Sequence, residues 1–457
     1  MRTKSSFESL SDDGQKSEMT TPSLPQTPFN SPPSHICYFN NAGKTPLPPS
    51  VQAAGQSSIS IEANPWRLPL KETVPDQIRQ EFASLIRAYE KEVAICPSTG
   101  FALTMVANNL ARSWRRRVEE GGQEQAIEEK QIVILQDEMS SGVYPWQPIL
   151  ESTHATLKIA PHPSDTDGSP KNWTDSILSE MSSCTNLKVV CVPQVHWSDG
   201  SLIDVLRVSQ TCRDRNAILV IDATQSVGIL ELNVSSFACP VILAASVHKW
   251  LLGPHGTTLL YVPSRLLEDD LYDWQPLDQH ERSRIVFQSS VYDATEDNID
   301  EHGYPAEFVD GAARLDSGGK KNPILLPMVL EGLKIVNSLN LKEAQEHLLT
   351  LTEYCIQRAS EMKLEFGIQA GPRAGHILGL RPFGTTLTWL TPERMVGVVK
   401  RLIERGIYIA ARAGAFRISP YLNTTYEEVD WLLEGLAQVL EEECQEKDHT
   451  NNATPDI

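Results

Sequence analysis

Five short apolar runs recur along the middle of the chain, each bounded by polar or turn-forming residues. They are KQIVILQDE, NLKVVCVPQV, NAILVIDAT, CPVILAASV and TTLLYVP. Val, Ile and Leu follow one another in these runs, without the apolar and polar alternation of a half-exposed strand. Continuous apolar strands are typical of a parallel sheet that is covered on both faces. Because longer helical patterns separate the runs, we predict an α/β fold with crossover helices.

The pattern changes after residue 322, where long amphipathic stretches replace the short apolar runs. NPILLPMVLEGLKIVNSLN and KEAQEHLLTLTEYCIQRASEMK have the apolar spacing of helices. TPERMVGVVKRLIERG starts with a Thr-Pro pair typical of a helix start and ends at Gly406, and IYIAARAGAFRIS is typical of a strand pair. Thr425 has capping-box spacing to Glu428 and predicts the start of a last helix. These elements predict a second, smaller α+β domain.

The length of the chain also favours two globular parts. Its 457 residues exceed the roughly 250 to 300 that one hydrophobic core usually serves. Residues 1–34 are rich in Ser, Thr and Pro and poor in large apolar side chains, so we expect a disordered tail. We predict a large domain over residues 35–322, a small C-terminal domain over residues 323–446, and a polar tail over residues 447–457.

Charge and cysteine content narrow the class of protein. A net charge of −19 repels nucleic acids and anionic membranes, so we predict neither as a partner. The eight cysteines contain no CxxC pair, as is usual in reduced intracellular proteins. No run reaches the roughly 18 apolar residues of a membrane-spanning helix, and the N-terminus lacks the apolar core of a signal peptide. We expect a cytoplasmic protein that acts on a small molecule, without a metal site.

Polar side chains follow two of the predicted strands at the point where each strand ends. The run ILVID ends at Asp222, and VILAAS leads into Ser246, His248 and Lys249. Open α/β sheets bind ligands at the carboxyl ends of their strands, so these side chains are candidates for one site. A lysine at the end of a buried strand is unfavourable unless it is neutralised, paired or covalently bonded. Lys249 therefore requires a chemical explanation.

The segment PSTGFALTMVANNLAR places the hydroxyl and glycine residues 98–100 ahead of an apolar helical pattern. Free N–H groups and the helix dipole at such a helix start favour a phosphate. Pyridoxal phosphate matches all three features, because it forms a Schiff base with a lysine, pairs its pyridinium nitrogen with a carboxylate and needs a phosphate site. We therefore predict pyridoxal phosphate as the cofactor, bonded to Lys249.

With these motifs the chain resembles the class V aminotransferase family of fold-type I pyridoxal-phosphate enzymes, which holds cysteine desulfurases, selenocysteine lyases, kynureninases and isopenicillin N epimerases. The most specific part is IDATQSVG followed by SVHKWLLGPHGTTLLYV, and the resemblance extends from residue 36 to about residue 443. It implies a large domain with a mostly parallel seven-stranded sheet and a small C-terminal α+β domain. It also implies a homodimer, since GGKKNP matches a region that reaches the neighbouring subunit's phosphate in relatives.

The resemblance implies roles for individual residues. Lys249 forms the internal aldimine and moves protons, Asp222 pairs with the pyridine nitrogen, and Gln225 contacts the phenolic oxygen of the cofactor. Arg417 matches the arginine that binds the substrate carboxylate in a bidentate fork. Asn41 lies on the N-terminal loop that lines the substrate pocket in relatives. The positions that match phosphate ligands are Thr99, Gly100, Ser246 and His248.

Two departures from the family bear on the reaction. Met139, counted back from Pro145 and Trp146, falls where relatives place a His or Phe over the cofactor ring. A Met at this cofactor-binding position packs against the ring but does not exchange protons. Desulfurases carry a cysteine on a loop shortly before the carboxylate-binding arginine, and this chain has none between Cys355 and Cys444. A persulfide mechanism is therefore disfavoured.

The resulting prediction is an enzyme that binds an amino acid or amine-bearing metabolite as an external aldimine and acts at its α or β carbon. A lyase or epimerase reaction is favoured. An aminotransferase of a specialised biosynthetic pathway is the first alternative, and a cysteine desulfurase or a non-catalytic relative are the others. The choice among them depends on the shapes of the pocket loops rather than on the fold.

Overall fold

The computed structural model describes residues 32–68, 73–120, 129–163, 169–269, 272, 274–277, 307–318, 322–383 and 387–452. The predicted N-terminal tail lies outside the described residues except for its last three. Residues 319–321 of the GGKKNP segment and the last five residues of the predicted C-terminal tail also lie outside them.

The strands of the described residues form three sheets. They are β1 (Cys37–Tyr38), β2 (Val93–Cys96), β3 (Lys130–Leu135), β4 (Ala155–Ala160), β5 (Leu187–Pro193), β6 (Ile218–Asp222), β7 (Val241–Ser246), β8 (Thr258–Tyr261), β9 (Phe366–Gly367), β10 (Leu378–Pro382), β11 (Ile407–Tyr408), β12 (Ala410–Arg412) and β13 (Ala415–Ile418). The largest sheet has seven strands in the order β2-β8-β7-β6-β5-β3-β4. β8 runs antiparallel to its two neighbours and the other pairs are parallel, which confirms the predicted mostly parallel seven-stranded sheet.

The α-helices cover both faces of this sheet and surround the smaller sheet. They are α1 (Pro49–Glu62), α2 (Val74–Ile86), α3 (Thr99–Glu120), α4 (Ser140–Val143), α5 (Leu150–Thr153), α6 (Trp173–Ser183), α7 (Val205–Asp214), α8 (Ser264–Leu267), α9 (Leu325–Ser338), α10 (Leu341–Glu361), α11 (Pro392–Glu404) and α12 (Tyr426–Asn452). Along β6, Leu219 and Ile221 pack with α2, α6, α7 and α9, whereas Val220 packs with α3 on the opposite face. Burial on both faces explains the continuous apolar runs.

The C-terminal part has its own sheet and its own core. β12, β13, β10 and β9 form a four-stranded antiparallel sheet that packs against α10, α11 and α12. The predicted capping box is confirmed, since the Thr425 hydroxyl accepts from the Glu428 N–H at 3.2 Å and the Glu428 carboxylate accepts from the Thr425 N–H at 2.9 Å. The short N-terminal strand β1 pairs with β11, so the first described residues lie against the C-terminal part.

A buried ion pair fixes β2, the strand that leads into α3. The Arg79 guanidinium donates to both carboxylate oxygens of Asp316, at 3.2 Å and 2.6 Å. Asp316 also accepts from the Ile95 N–H at 2.7 Å. A bidentate pair with a third hydrogen bond holds its geometry well in a low-dielectric interior. It therefore sets where Thr99, the first residue of α3, stands at the edge of the sheet.

Among the described residues, no helix has both the length and the apolar character needed to cross a membrane.

Candidate active site

A cavity of about 350 Å³ lies at the carboxyl ends of the central strands, and Lys249 faces it. This is the edge at which open α/β sheets bind ligands. Nine of the ten residues predicted for the site line this cavity, and Asn41 is the exception. The cavity lining is Ala42, Gly43, Thr99, Gly100, Glu138, Met139, Ser141, Pro193, Val195, Trp197, Asp222, Thr224, Gln225, Ser246, His248, Lys249, Arg412 and Arg417.

Asp222 stands at the last position of β6, and two hydrogen bonds fix its carboxylate. Oδ2 accepts from the Ser141 hydroxyl at 3.0 Å, and Oδ1 accepts from the Thr224 N–H at 3.1 Å. The contact with Ser141 joins the short helix α4 to the end of β6. Two donors hold the Asp222 carboxylate at the cavity, where its oxygens can accept a hydrogen bond from a protonated ring nitrogen.

Hydroxyl groups gather near the start of α3. The Thr99 and Ser246 hydroxyls lie 2.7 Å apart, and Ser246 Oγ lies 3.1 Å from Thr258 Oγ1. Thr224 Oγ1 lies 3.4 Å from Thr99 Oγ1 and accepts from the Ser246 N–H at 3.1 Å. Space beside Gly100 is open, since a Cβ built there would meet no atom within 4 Å. Hydroxyls, open space and the start of a long helix together fit a phosphate group.

His248 borders this end of the cavity and stacks on His255, with ring centroids 4.0 Å apart. Burial, together with the charge of Lys249, lowers the pKa of His248 to about 3. The ring is therefore neutral near pH 7 and has one N–H to donate. Such a donor assists phosphate binding without adding a full charge.

Gln225 is fixed by its neighbours rather than free to rotate. Its Nε2 donates to the Ala42 carbonyl at 3.0 Å, and its Oε1 accepts from Trp250 Nε1 at 2.9 Å. Trp250 comes this close because Gly228 has no side chain: a Cβ there would lie 2.3 Å from the Trp250 carbonyl oxygen, and the φ angle of Gly228 is +101°. A side chain at this position would collide with the Trp250 backbone, which explains why IDATQSVG ends in glycine.

Lys249 lies in an electropositive surrounding. Burial lowers the pKa of its amine to about 8, and the charges of Arg417 and Arg412 act in the same direction, whereas Asp222 opposes them. Within the described residues, no carboxylate lies within ion-pair distance of its Nζ. A substantial fraction of this lysine is therefore a neutral amine near physiological pH, which is the form that attacks a carbonyl.

We expect the amine of Lys249 in cofactor-free protein to become reactive toward formaldehyde and cyanoborohydride with a midpoint near pH 8, because only the neutral amine reacts. Methylation of the peptide that carries Lys249, followed by mass spectrometry, measures this midpoint. Arg412→Gln removes a cation and moves the midpoint upward; Asp222→Asn removes an anion and moves it downward. A midpoint that neither substitution moves would contradict this electrostatic account.

Arg417 is a buried cation that has no carboxylate partner among the described residues. It belongs to β13 and is 3% exposed, and its Nη1 and Nη2 donate to the Trp197 carbonyl at 3.1 Å and to Asn40 Oδ1 at 3.3 Å. Its Nε is buried with no hydrogen-bond partner in the described part of the chain. Burial, with the nearby Arg412, lowers its pKa to about 10. A buried guanidinium with an unused donor suits a carboxylate ligand.

Met139 lies in the cavity as predicted, whereas Asn41 lies outside it. Met139 is the residue before α4 and lines the cavity, as expected for a side chain near a cofactor ring. Asn41 instead donates from Nδ2 to the Ser419 carbonyl at 2.8 Å and lines a neighbouring cavity. Asn40, the preceding residue, is the one that contacts Arg417.

Several lining residues were not predicted from the sequence. Ser141 and Thr224 hold Asp222, Arg412 adds a second cation, and Glu138 adds a second carboxylate to the cavity. Thr224 stands two residues after Asp222 in IDATQSVG, so its position in that motif was an available signal. Ser141, Arg412 and Glu138 reach the cavity because segments that are distant along the chain pack together.

The described residues fit pyridoxal phosphate. One cavity holds a lysine with no ion-pair partner in the described part of the chain, a hydrogen-bonded carboxylate, a hydroxyl-lined start of a helix and an arginine whose Nε has no hydrogen-bond partner there. These are the groups that an aldehyde, a pyridinium nitrogen, a phosphate and a substrate carboxylate require.

Comparison with known proteins agrees with this site. The profile of the family described as "Aminotransferase class-V" matches residues 37–366. The chain is 23% identical over 382 residues, 83% of this chain and 87% of the relative, to the uncharacterized aminotransferase YcbU of Bacillus subtilis. It is 26% identical over 241 residues to isopenicillin N epimerase of Streptomyces clavuligerus, covering 51% of this chain and 55% of that relative.

Solved structures share the fold. The cystine C-S lyase C-DES, solved with its product cysteine persulfide, aligns with a TM-score of 0.70 at 17% identity, covering 88% of this chain and 98% of that one. The cysteine desulfurase CsdA of Escherichia coli aligns with a TM-score of 0.68 at 17% identity, covering 89% and 95%. Both confirm the predicted fold class. The chain therefore belongs to the class V aminotransferase family, whose members depend on pyridoxal phosphate.

Proposed function

We propose that this chain is an amino-acid lyase or epimerase that acts at the α or β carbon of its substrate with pyridoxal phosphate bound through Lys249. The observation that carries the proposal is that Lys249, Asp222 and Arg417 line one cavity. When bound, the cofactor supplies an electron sink for a bond broken at the α carbon. The residues of the chain then bind, orient and move protons.

Each group has a role that follows from its surroundings. The hydroxyls of Thr99 and Ser246 with the start of α3 bind the phosphate, and Asp222 faces the ring nitrogen. Arg417 binds the substrate carboxylate, because its buried Nε has no partner in the described residues. Lys249 Nζ, whose pKa is lowered to about 8, takes up and returns a proton at the α carbon near neutral pH.

A persulfide reaction finds no support at this cavity. All eight cysteines lie in the described residues, seven are buried, and none lines the cavity. Burial also raises the pKa of Cys355 to about 12 and that of Cys37 to about 12, which disfavours the reactive thiolate. The relatives named as probable cysteine desulfurases are therefore guides to the fold and the cofactor site rather than to the reaction.

Aminotransfer is the second candidate, and the similarity to YcbU over 87% of that relative favours it. The two reactions differ in the fate of the cofactor. An aminotransferase leaves the amino group on the cofactor and needs a keto acid to remove it, whereas a lyase or epimerase regenerates the cofactor at each turnover. The predicted homodimer and cytoplasmic location belong to the same proposal.

Incubation of loaded protein with a panel of amino acids, followed by visible spectroscopy and product analysis, tests the proposal. We expect one substrate class to change the spectrum of the bound cofactor, with multiple turnovers in the absence of a keto acid. Accumulation of pyridoxamine phosphate that a keto acid reverses would instead establish aminotransfer. A spectrum that no amino acid changes would contradict both candidates.

A further inference from the structure

Three ionisable side chains beside the Lys249 cavity are not used by the proposed function. Glu138 lines the cavity, and His196 and Asp199 lie behind it with fully buried side chains. Glu138 follows β3, His196 follows β5, and Asp222 ends β6. These three strands are parallel neighbours in the sheet, so their carboxyl ends bring Glu138, His196 and Asp222 to the same edge.

Asp199 is an anion that orients the imidazole of His196. Its Oδ1 lies 3.4 Å from His196 Nδ1 and accepts from the Ser201 N–H at 2.9 Å. Burial works against the ionised carboxylate, but the hydrogen bonds with His196 and Ser201 outweigh it and hold the pKa of Asp199 below its usual range. Arg381 of β10 adds a positive charge, with Nη2 3.5 Å from Asp199 Oδ2.

The His196 ring is held with one nitrogen toward Asp199 and the other unused. It stacks on Trp173 with ring centroids 4.7 Å apart, and the Ser198 hydroxyl lies 3.1 Å from Nδ1. A proton on Nδ1, facing Asp199, leaves Nε2 as an acceptor when the ring is neutral. Nε2 is buried and has no hydrogen-bond partner among the described residues.

Glu138 carries the matching unused group. Its Oε1 accepts from the Met139 N–H at 2.6 Å, whereas its Oε2 is buried with no hydrogen-bond partner in the described residues. Burial raises the pKa of Glu138 to about 7, Asp222 acts in the same direction, and His196 and the Met139 N–H oppose them. Cys191 of β5 also interacts with this carboxyl group. The Glu138 carboxyl group is thus coupled to Asp222 and to His196.

Unpaired buried polar atoms are unfavourable and call for an explanation in a native structure. Here one is the carboxyl oxygen of Glu138 and the other the imidazole nitrogen of His196, on segments that follow two neighbouring strands. The two segments are joined by a hydrogen bond from Trp197 Nε1 to the Asp137 carbonyl at 2.8 Å. An acid and a basic nitrogen that an anion orients, on adjoining segments, can form a proton relay.

We propose that Glu138, His196 and Asp199 form a buried proton relay that controls the charge beside Asp222, an inference that rests on the proposed function. The proton leaves Glu138 Oε2, whose bonding electrons stay on oxygen, and reaches the lone pair of His196 Nε2 through one water molecule, since neither atom has a hydrogen-bond partner among the described residues. The resulting imidazolium is stabilised by Asp199. The net charge of the three side chains does not change, because the negative charge gained by Glu138 is matched by the positive charge gained by His196. The cavity wall nevertheless gains a second negative charge beside Asp222, at Glu138.

Glu138 is therefore a positioning residue in this account, since it acts on the cofactor ring through the charge at Asp222. A second negative charge raises the proton affinity of a nearby cationic group. The relay supplies an adjustable charge at a cavity lined by Met139, whose thioether does not exchange protons.

The first test uses cofactor-free protein and infrared spectroscopy. The carbonyl band of a protonated carboxylic acid, assigned to Glu138 by its absence in Glu138→Gln, is expected to disappear with a midpoint near pH 7. His196→Asn removes the acceptor Nε2, and Asp199→Asn removes the anion that stabilises the imidazolium, so each moves the midpoint upward. Glu346→Gln, at an exposed side chain on α10, leaves the band unchanged.

The second test uses cofactor-loaded protein. We expect Glu138→Gln to lower the pH at which the visible spectrum of the bound cofactor changes by about one unit, a tenfold loss of proton affinity. An infrared midpoint that neither His196→Asn nor Asp199→Asn moves, or a spectral midpoint that Glu138→Gln leaves in place, would overturn the relay. Loaded protein without any visible band would overturn the proposed function instead, and the infrared titration would still decide on the relay.

Discussion

Lys249→Ala is expected to abolish the visible absorbance of the cofactor-loaded protein and to lower turnover at least about a thousandfold. Two contributions are lost together, the bond to the cofactor and the group that moves the proton, and acid–base catalysis alone is typically worth 10²- to 10⁴-fold. Absorbance spectra and turnover with the substrate found in the amino-acid panel measure the effect. Lys342→Ala is the matched control, because its side chain is 79% exposed on α10.

The same substitution separates lost chemistry from lost folding. The Lys249 cation is unfavourable in its surroundings, since burial, Arg417 and Arg412 lower its pKa. Removing it is expected to leave the thermal unfolding midpoint of the cofactor-free protein unchanged or higher. A Lys249→Ala protein that keeps the visible band and turns over normally would place the cofactor bond on another residue.

Arg417→Gln is expected to raise KM for the amino-acid substrate about 30-fold or more. Loss of one partner from a buried, hydrogen-bonded charge pair is worth about 2 kcal/mol or more, and 2 kcal/mol corresponds to roughly 30-fold in affinity. Arg417→Lys restores only part of the loss, because an ammonium cannot form the planar bidentate contact. Steady-state kinetics with wild type and both variants give these values.

Arg417→Gln is expected to weaken substrate binding without lowering the thermal stability of the cofactor-free protein. In the described residues Arg417 has no carboxylate partner, only the Trp197 carbonyl and the Asn40 amide oxygen, and its Nε is unpaired. Replacing it therefore does not lower the unfolding midpoint of the cofactor-free protein. Arg207→Gln is the control, since its half-exposed side chain pairs with Asp175 on the surface. An Arg417 variant that unfolds earlier but binds substrate normally would assign it a structural role.

The elements of the large sheet were predictable where the apolar pattern was unambiguous. The runs that became β3, β5, β6, β7 and β8 are buried on both faces, so the sequence carries a continuous signal. β4 lies at the edge of the sheet, and its mixed burial gives no such signal. The antiparallel direction of β8 depends on the connection through residues 247–257, which contains the GPHG turn and returns the chain beside β7 without a crossover helix.

The central residues of the site were predictable for a similar reason. Asp222 and Lys249 stand at or just after the ends of apolar runs, so the sequence alone predicts that they lie at the ligand-binding edge of the sheet. Glu138 and Ser141 flank Met139, which was predicted for the site, but nothing in the sequence shows that their own side chains also reach the cavity. Arg412 comes from a segment without a motif, and the β12-β13 pair brings it there. The choice between Asn40 and Asn41 depends on side-chain direction in one turn, which adjacent identical residues cannot reveal.

The pKa shifts of the residues that line the cavity could not be predicted from the sequence either. The raised pKa of Glu138 and the lowered pKa values of Lys249 and His248 result from burial plus neighbours that are distant in the chain. Such shifts are concentrated at functional sites because burial and close charges occur together there. Here they lie around one cavity, which supports the placement of the chemistry at this edge of the sheet.

Borohydride reduction of the cofactor-loaded protein, followed by peptide mass spectrometry, tests the central claim most directly. The account predicts one phosphopyridoxyl modification, on Lys249, in the peptide that contains SVHKWLLGPHG. It also predicts no modification in Lys249→Ala and full modification in Lys342→Ala. Modification at a different lysine, or none in protein that has been saturated with pyridoxal phosphate, would contradict the assignment of this cavity as the active site.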